Sequence, residues 1–108
     1  MDILKVSKDN FAKALLGTSF VPAGLVELNR YFRLYGPITF SFHKEDGITI
    51  ATSIDFRYGS IVTQGVDEKE VDINIKDAIL TAFELPSAYK KEADIIRSGE
   101  RKDAYAIA

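Results

Sequence analysis

The sequence predicts one α+β domain in which helices pack on one face of an antiparallel β-sheet. Three observations predict this class: an alternating hairpin pattern with a short acidic-glycine turn, a third short strand that ends in glycine, and a helix preceded by capping residues. The chain has 108 residues, which is a typical length for one domain. We therefore expect residues 1–108 to form a single domain, with a mostly helical extension over 1–36 and the core over 37–108.

A β-hairpin is the clearest local element. Ile38, Phe40 and Phe42 alternate with polar residues, and a second alternating run follows Asp46 and Gly47. Alternation with a period of two places these apolar side chains on one face of a strand. Asp-Gly is favoured in type I′ turns, in which both central residues have positive φ. The same buried face is expected to hold four side chains of the second run: Ile48, Ile50, Ile54 and Phe56.

A third strand and a helix follow the hairpin. Residues 61–64 have the composition of a strand, and Gly65 is expected to permit the turn into the helix. Asp67 and Glu70 lie three residues apart, which is the spacing of a capping box at a helix start. Apolar residues at helical spacing come next, and Pro86 is expected to end the helix. These elements complete a predicted three-stranded core with one amphipathic helix.

The C-terminal part is predicted to contain one short helix and one strand. Ser87 is a suitable N-cap, the helix is expected to reach about residue 97, and Gly99 closes it. Residues 99–103 are polar and predict a loop. Residues 105–108 form a candidate C-terminal edge strand. The buried side of the helix is expected to hold Tyr89, Ala93 and Ile96.

The N-terminal extension has helical patterns and one strand pattern. A strand is predicted over residues 3–6 and a helix over residues 7–16. A second helix is predicted to begin at Pro22, because proline is well tolerated in the first turn, and to end at Gly36. Its inward-facing residues are expected to be Leu25, Leu28 and Phe32.

Composition and localisation signals favour a cytoplasmic protein. The chain has no cysteine, which excludes disulfides and thiolate metal sites. The first residues lack the pattern of a secretory signal, and no apolar stretch approaches the roughly 20 residues that span a bilayer. We expect no membrane association, no cofactor and no metal.

The charge distribution favours a basic protein partner over nucleic acid. Residues 37–85 hold nine acidic and four basic side chains, whereas residues 1–36 have a net charge of +2. Nucleic-acid affinity comes mainly from lysine and arginine, so the acidic middle suits a basic protein better. A solvated acidic face is the equally weighted alternative. The candidate partner-binding residues are Asp67, Glu68, Glu70 and Asp72, although acids at a helix start commonly serve as caps.

Catalytic patterns are weak, and we expect a protein that is not an enzyme. His43 is the single histidine, and the alternation places it on the polar face of the first strand. Neither a G-x-S-x-G elbow nor a phosphate-binding loop occurs. One open alternative is a metal-dependent nuclease in which Asp55 and the acids of the helix start bind Mg²⁺.

A nucleic-acid-associated protein is the main alternative function. It would act through the basic N-terminal helices, near the end of the second one, where cationic and aromatic side chains interleave. Arginine and aromatic rings together suit phosphate contacts and base stacking. The candidate residues are Arg30, Tyr31, Arg33 and Tyr35.

Five residues at fixed offsets give the only family-like pattern in the chain. Counted from the glycine, the others follow two, five, nine and thirteen positions later: Gly65, Asp67, Glu70, Asn74 and Ala78. Together with the preceding hairpin, this pattern resembles the HicB-like antitoxin family over about residues 37–85. Within it, Gly65 would permit the turn, Asn74 would bridge the helix to a neighbouring segment, and Ala78 would let the helix lie close to the sheet.

The resemblance implies a degraded RNase H-like fold without catalytic activity. Such a protein covers a small basic toxin of the HicA type that cleaves messenger RNA, or it is an orphan relative without a toxin. The turn at residues 55–60 is one residue longer than is usual in that family and lacks its proline and cysteine. No C-terminal DNA-binding domain fits in residues 86–108. From the open sheet face and an unpaired strand edge we also expect a homodimer.

Overall fold

A computed structural model describes residues 22–108. The predicted strand over 3–6 and helix over 7–16 lie outside the described residues. Three α-helices and five strands are described, with a 3-10 turn at Ser87–Tyr89 before the third helix. The helices are α1 (Ala23–Tyr35), α2 (Glu68–Ala82) and α3 (Lys90–Ala93). The strands are β1 (Ile38–Glu45), β2 (Ile48–Ser53), β3 (Val62–Gly65), β4 (Ile95–Ser98) and β5 (Ala104–Ile107).

The five strands form one antiparallel sheet in the order β3-β2-β1-β5-β4. The α+β class with an antiparallel sheet is therefore confirmed, but the sheet has five strands instead of the expected three-stranded core with one C-terminal edge strand. Helix α2 packs on the face that carries Ala51 and Tyr105, which are both buried. The buried core lies between this face and the helices.

The predicted hairpin is present, but its faces differ from the expectation. Asp46 and Gly47 have φ values of 54° and 79°, as a type I′ turn requires. The register places Phe42 opposite Ala51, and directly opposed residues share a face. Ile50 pairs with His43 on the other face, so its assignment to the buried face was wrong. Ile48 lies on the face of Ile50, and Ile54 is 66% exposed, so these two side chains are also misplaced. Phe42 lies on the predicted face, opposite Ala51, but is 41% exposed there.

The C-terminal part differs most from the prediction. Helix α3 ends at Ala93, because Asp94 adopts the left-handed conformation with φ 53°. The next residues form β4, so Ile96 is an exposed strand residue rather than a buried helical one. Gly99, at φ +90°, lies in the turn that joins β4 to β5. The predicted last strand is confirmed as β5, but it lies between β1 and β4 instead of at the edge.

Helix α1 agrees with the predicted orientation, and its bounds differ from the prediction by one residue at each end. Pro22 is its N-cap and Gly36, at φ 80°, is its C-cap. Leu28 and Phe32 are buried and Leu25 is partly buried against the core. Within residues 22–108 no helix has the length and apolar character needed to cross a membrane.

Helix α2 ends by hydrogen bonding before Pro86 is reached. The Leu85 N–H donates to the Leu80 carbonyl at 2.8 Å, and the Glu84 N–H donates to the Thr81 carbonyl at 2.9 Å. This pair of bonds defines a Schellman motif, which requires a left-handed residue at the position of Glu84. Glu84 has φ 59°, and therefore a glutamate occupies a position that glycine usually takes.

Candidate binding cleft

A cleft of 410 Å³ lies between the start of α2, the outer half of the β1–β2 hairpin and the turn between β4 and β5. Its apolar wall is formed by Phe42, Val66, Val71 and the ring of Tyr105. Its charged side chains come from both sides: Lys44, Asp67, Glu68, Asp72, Arg97 and Arg101. Apolar walls with a few polar groups are typical of binding sites.

Reciprocal capping positions the acidic side of this cleft. The Asp67 Oδ1 accepts a hydrogen bond from the Glu70 N–H at 2.8 Å, which confirms Asp67 as the N-cap. The Glu70 Oε1 accepts from the Val66 N–H at 2.6 Å, one residue before the N–H used in the usual capping box. Both carboxylates therefore hold the chain just before α2 in a defined direction.

Gly65 is required for a reason other than the one the sequence suggested. A Cβ at this position would lie 2.8 Å from the Val71 backbone nitrogen and 2.9 Å from the Val71 Cγ2. Real Cβ atoms do not approach other atoms so closely, so the absence of a side chain lets β3 and α2 meet. Gly65 is not among the residues with positive φ.

Two further residues of the five-residue pattern fix α2 on the sheet. The Asn74 Nδ2 donates to the Gln64 carbonyl at 2.7 Å, which bridges α2 to β3 as expected for this amide. Ala78 is partly buried against the core, as a residue on the sheet-facing side of α2 should be. The pattern is therefore structural in all five positions.

An ion pair joins the start of α2 to the C-terminal hairpin. The Arg97 Nη2 donates to the Glu68 Oε2 at 2.7 Å, and its Nε donates to the Lys102 carbonyl at 2.6 Å. Sequence reasoning missed Arg97 because it assigned this residue to a helix. In a strand its side chain lies on the same sheet face as Tyr105, its partner in the register.

Tyr105 makes the second connection between the C-terminal hairpin and α2. Its hydroxyl donates to the Asp72 Oδ1 at 2.8 Å, and the Asp72 Oδ2 lies 3.2 Å from the Lys76 Nζ. Burial, and secondly the bond to Asp72, raise the pKa of Tyr105 far above its ordinary value. Tyr105 therefore stays protonated and remains a hydrogen-bond donor. No sequence pattern pointed to this tyrosine.

These bonds divide the four predicted partner-binding acids into two groups. Asp72 uses both of its oxygens within the protein. Asp67, Glu68 and Glu70 each use one oxygen and have no second bond to the described residues. All three are exposed. Asp67, Glu68 and Glu70 therefore remain candidates for binding a partner, whereas Asp72 has a structural role.

The predicted nucleic-acid residues do not form one exposed cluster. Tyr31 is only 1% exposed, its hydroxyl accepts from the Arg57 N–H at 2.9 Å, and burial raises its pKa. Its ring is therefore covered and not free to stack on a base. Tyr35 is 42% exposed, with the Arg57 guanidinium carbon 4.6 Å from its ring centroid. Arg30 and Arg33 are exposed, and the Arg30 Nη1 lies 3.9 Å from the Glu27 Oε2.

His43 and Asp55 lie in separate polar surroundings. His43 is exposed, and its Nε2 lies 3.8 Å from the Glu45 Oε1. The Asp55 Oδ1 accepts from the Thr39 N–H at 2.8 Å, which ties the end of the hairpin to β1. In the described part of the chain, no three His, Cys, Asp or Glu side chains are grouped so that they could hold a metal ion.

No family model matches the chain, and the comparisons with curated proteins and with solved structures likewise give no match.

Proposed function

We propose that this chain is a non-catalytic binding module whose acidic cleft rim binds a basic protein. The observation that supports this most directly is the state of Asp67, Glu68 and Glu70. Each carboxylate is exposed, is fixed by one internal hydrogen bond, and has a second oxygen without a bond to residues 22–108. A lysine or arginine of a partner would complete these bonds.

Fixing the carboxylates beforehand favours binding. An interface side chain that is immobilised only on binding costs about 0.5–1.5 kcal/mol, and the internal bonds meet part of that cost in the free protein. The apolar wall beside the acids, with Phe42 and Val66, provides the area that a charged rim alone lacks. Charge would then set the rate and specificity of association. Burial of the apolar wall would set the lifetime of the complex.

The resemblance to HicB-like antitoxins suggests a specific partner for this module. The partner would be a small cationic toxin of the HicA type that cleaves messenger RNA in the cytoplasm, and the acidic rim would compete with the RNA backbone. An orphan relative would keep the binding surface without a toxin. A homodimer would present two such rims to the partner.

The experiment uses substitutions that remove charge and keep the hydrogen bonds. In the triple variant Asp67→Asn, Glu68→Gln, Glu70→Gln, asparagine still caps α2 and glutamine still accepts from Val66. The matched control removes three exposed acids away from the cleft: Glu27→Gln, Glu84→Gln and Glu92→Gln. The partner tested is any small basic protein encoded beside this chain, with affinity measured by calorimetry at two salt concentrations.

The triple variant should bind at least about tenfold more weakly and with a shallower salt dependence, whereas the control should bind as the wild type does. Equal loss in both variants would mean that only net charge matters. Unchanged binding by the triple variant would disprove the assigned surface.

The alternative function, nucleic-acid association through the N-terminal helices, has a separate test. With Tyr31 in the core, it depends on Arg30, Arg33 and Tyr35. Tight, salt-sensitive binding of single-stranded RNA that Arg30→Gln with Arg33→Gln abolishes would favour it over the protein-binding module.

A further inference from the structure

One half of β1 has a strand partner on only one side. Strand β5 pairs with β1 at Ile38 and Thr39, and the Phe40 N–H donates to the Asp103 carbonyl at 2.9 Å. The chain then turns away at Lys102, which has φ 56°. Residues 41–45 therefore pair with β2 on one side and with no described strand on the other. We name this side of residues 41–45 the open edge of β1.

The direction of the main-chain groups at the open edge follows from the neighbouring bonds. The Ile54 N–H donates to the Thr39 carbonyl on the β2 side, and the Phe40 N–H donates to Asp103 on the β5 side. In an antiparallel sheet these directions alternate along the strand. The N–H and C=O groups of Phe42 and Lys44 thus point to the open edge, and such unpaired groups favour the addition of another strand.

The side chains of the same two residues line the cleft. Phe42 is 41% exposed and Lys44 is exposed, and Arg101 of the β4–β5 turn lies on the same cleft. Lys44 and Arg101 form no ion pair within residues 22–108, whereas Arg97 is held by Glu68. A strand placed at the open edge would direct alternate side chains into this cleft, where unpaired cations favour an acidic residue.

We propose that the open edge of β1 binds an extended acidic peptide as an additional antiparallel strand. The peptide continues the direction of β5, and two of its residues pair with Phe42 and Lys44 through four main-chain hydrogen bonds. Its residue opposite Lys44 is acidic and also faces Arg101, and its residue opposite Phe42 is apolar. This ligand differs in charge from the basic partner of the acidic rim, but both would contact Phe42 in the same cleft, so binding of one would exclude the other.

The first test uses a peptide that fits this register. The probe is a fluorescein-labelled Thr-Glu-Thr-Leu-Thr amide, in which Glu lies opposite Lys44 and Leu opposite Phe42. One control peptide replaces Glu with Lys, and another carries N-methyl-Leu, which cannot donate to the Phe42 carbonyl. In anisotropy titrations each control should bind about tenfold more weakly than the probe, as expected for loss of one charged or main-chain contact.

The second test changes the protein at the edge. Lys44→Pro removes both the outward main-chain N–H and the charge, while Lys44→Gln removes only the charge. The Lys44 N–H points away from β2, so the hydrogen bonds between β1 and β2 do not need it. Lys44→Gln should weaken binding of the probe about tenfold, Lys44→Pro should weaken it further, and Lys91→Gln on α3 should leave it unchanged. Thermal unfolding of each variant checks that the fold is kept.

Amide hydrogen exchange locates the added strand. Saturation with the probe should slow exchange at Phe42 and Lys44, with much smaller changes at Ser41 and His43, whose N–H groups already face β2. The proposal is wrong if the probe does not bind, or if the N-methyl peptide binds equally well. It is also wrong if the wild type is a dimer that Lys44→Pro converts to monomers, because a second copy would then occupy the edge.

Discussion

Two regions meet at the cleft: the β3–α2 junction and the C-terminal hairpin β4–β5. They differ in how the sequence determines their structure. At the junction, the interactions join residues that are close in sequence. Asp67 caps α2 by accepting a hydrogen bond from the Glu70 N–H, and Gly65 leaves the space that Val71 occupies. The hairpin is held by distant partners, since Arg97 and Tyr105 bond Glu68 and Asp72 of α2. Local bonds can be read from a sequence, whereas the distant ones depend on the assembled fold.

The largest expected effect breaks the junction at its closest contact. Gly65→Ala places a Cβ 2.8 Å from the Val71 nitrogen, and because that atom is backbone, β3 and α2 must separate. We expect the free energy of unfolding to fall by about 3 kcal/mol, the cost of strong overpacking. Urea denaturation measures it, with Gln64→Ala as the control on the same strand. A change below about 1 kcal/mol in Gly65→Ala would show that the close approach is not required.

The next prediction breaks the distant connection of the hairpin. Tyr105→Phe removes the hydroxyl that donates to Asp72, and a hydrogen bond to a charged group contributes about 1.5–3 kcal/mol. We expect a loss of about 2 kcal/mol in urea denaturation. In a double-mutant cycle, the effect of Asp72→Asn should be smaller in the Tyr105→Phe background. Additive effects would mean that the two side chains do not interact.

The same tyrosine predicts a pH dependence. Its pKa is raised in the folded protein, so the neutral hydroxyl is favoured by folding, and this contribution is complete below the unfolded pKa of about 10. It is lost as the pH rises from there toward the folded pKa. Between about pH 10 and 11.5 the wild type should therefore lose stability more steeply than Tyr105→Phe. Parallel stability curves for the two proteins would contradict a raised pKa of Tyr105 in the folded protein.

The hairpin β1–β2 shows how far local reading extends. The alternation and the Asp46-Gly47 turn were both predicted, and the structure confirms them. The face assignment failed because a two-residue turn pairs Glu45 with Ile48, which places Phe42 opposite Ala51. The isoleucines therefore face the other way. The error came from treating two amphipathic patterns separately, although the predicted turn already related them.

The C-terminal region could not be predicted in the same way. Residues 87–97 have a plausible cap and helical spacing, but Asp94 takes a left-handed conformation and the next residues pair with β5. Strand pairing supplies main-chain bonds that a short, weakly helical segment cannot match. As a result, the role of Arg97 in the cleft was not identified. Tyr105 lies in a strand that was predicted correctly, but no sequence pattern indicated its bond to Asp72. Of the candidate site, the sequence indicated only the acids at the start of α2.

A smaller effect on stability tests whether Asp67 stabilises the junction through its hydrogen bond or through its charge. Asp67→Ala removes the acceptor for the Glu70 N–H and should cost about 1 kcal/mol, whereas Asp67→Asn keeps an acceptor and should be nearly neutral. Thermal unfolding of both variants provides the comparison. An equal loss in both would assign the effect to the charge of Asp67 rather than to its hydrogen bond.

The smallest effect is a gain, at the other end of α2. Glu84 has φ 59° in the Schellman motif, and a residue with a Cβ is strained there by about 1–2 kcal/mol, while glycine is not. Glu84→Gly should therefore raise the free energy of unfolding by about 0.5 kcal/mol, after the extra backbone entropy of glycine is subtracted. Glu92→Gly, within α3, should lower it by a similar amount, because that residue is helical. Destabilisation by both glycines would show that the left-handed turn after α2 does not form.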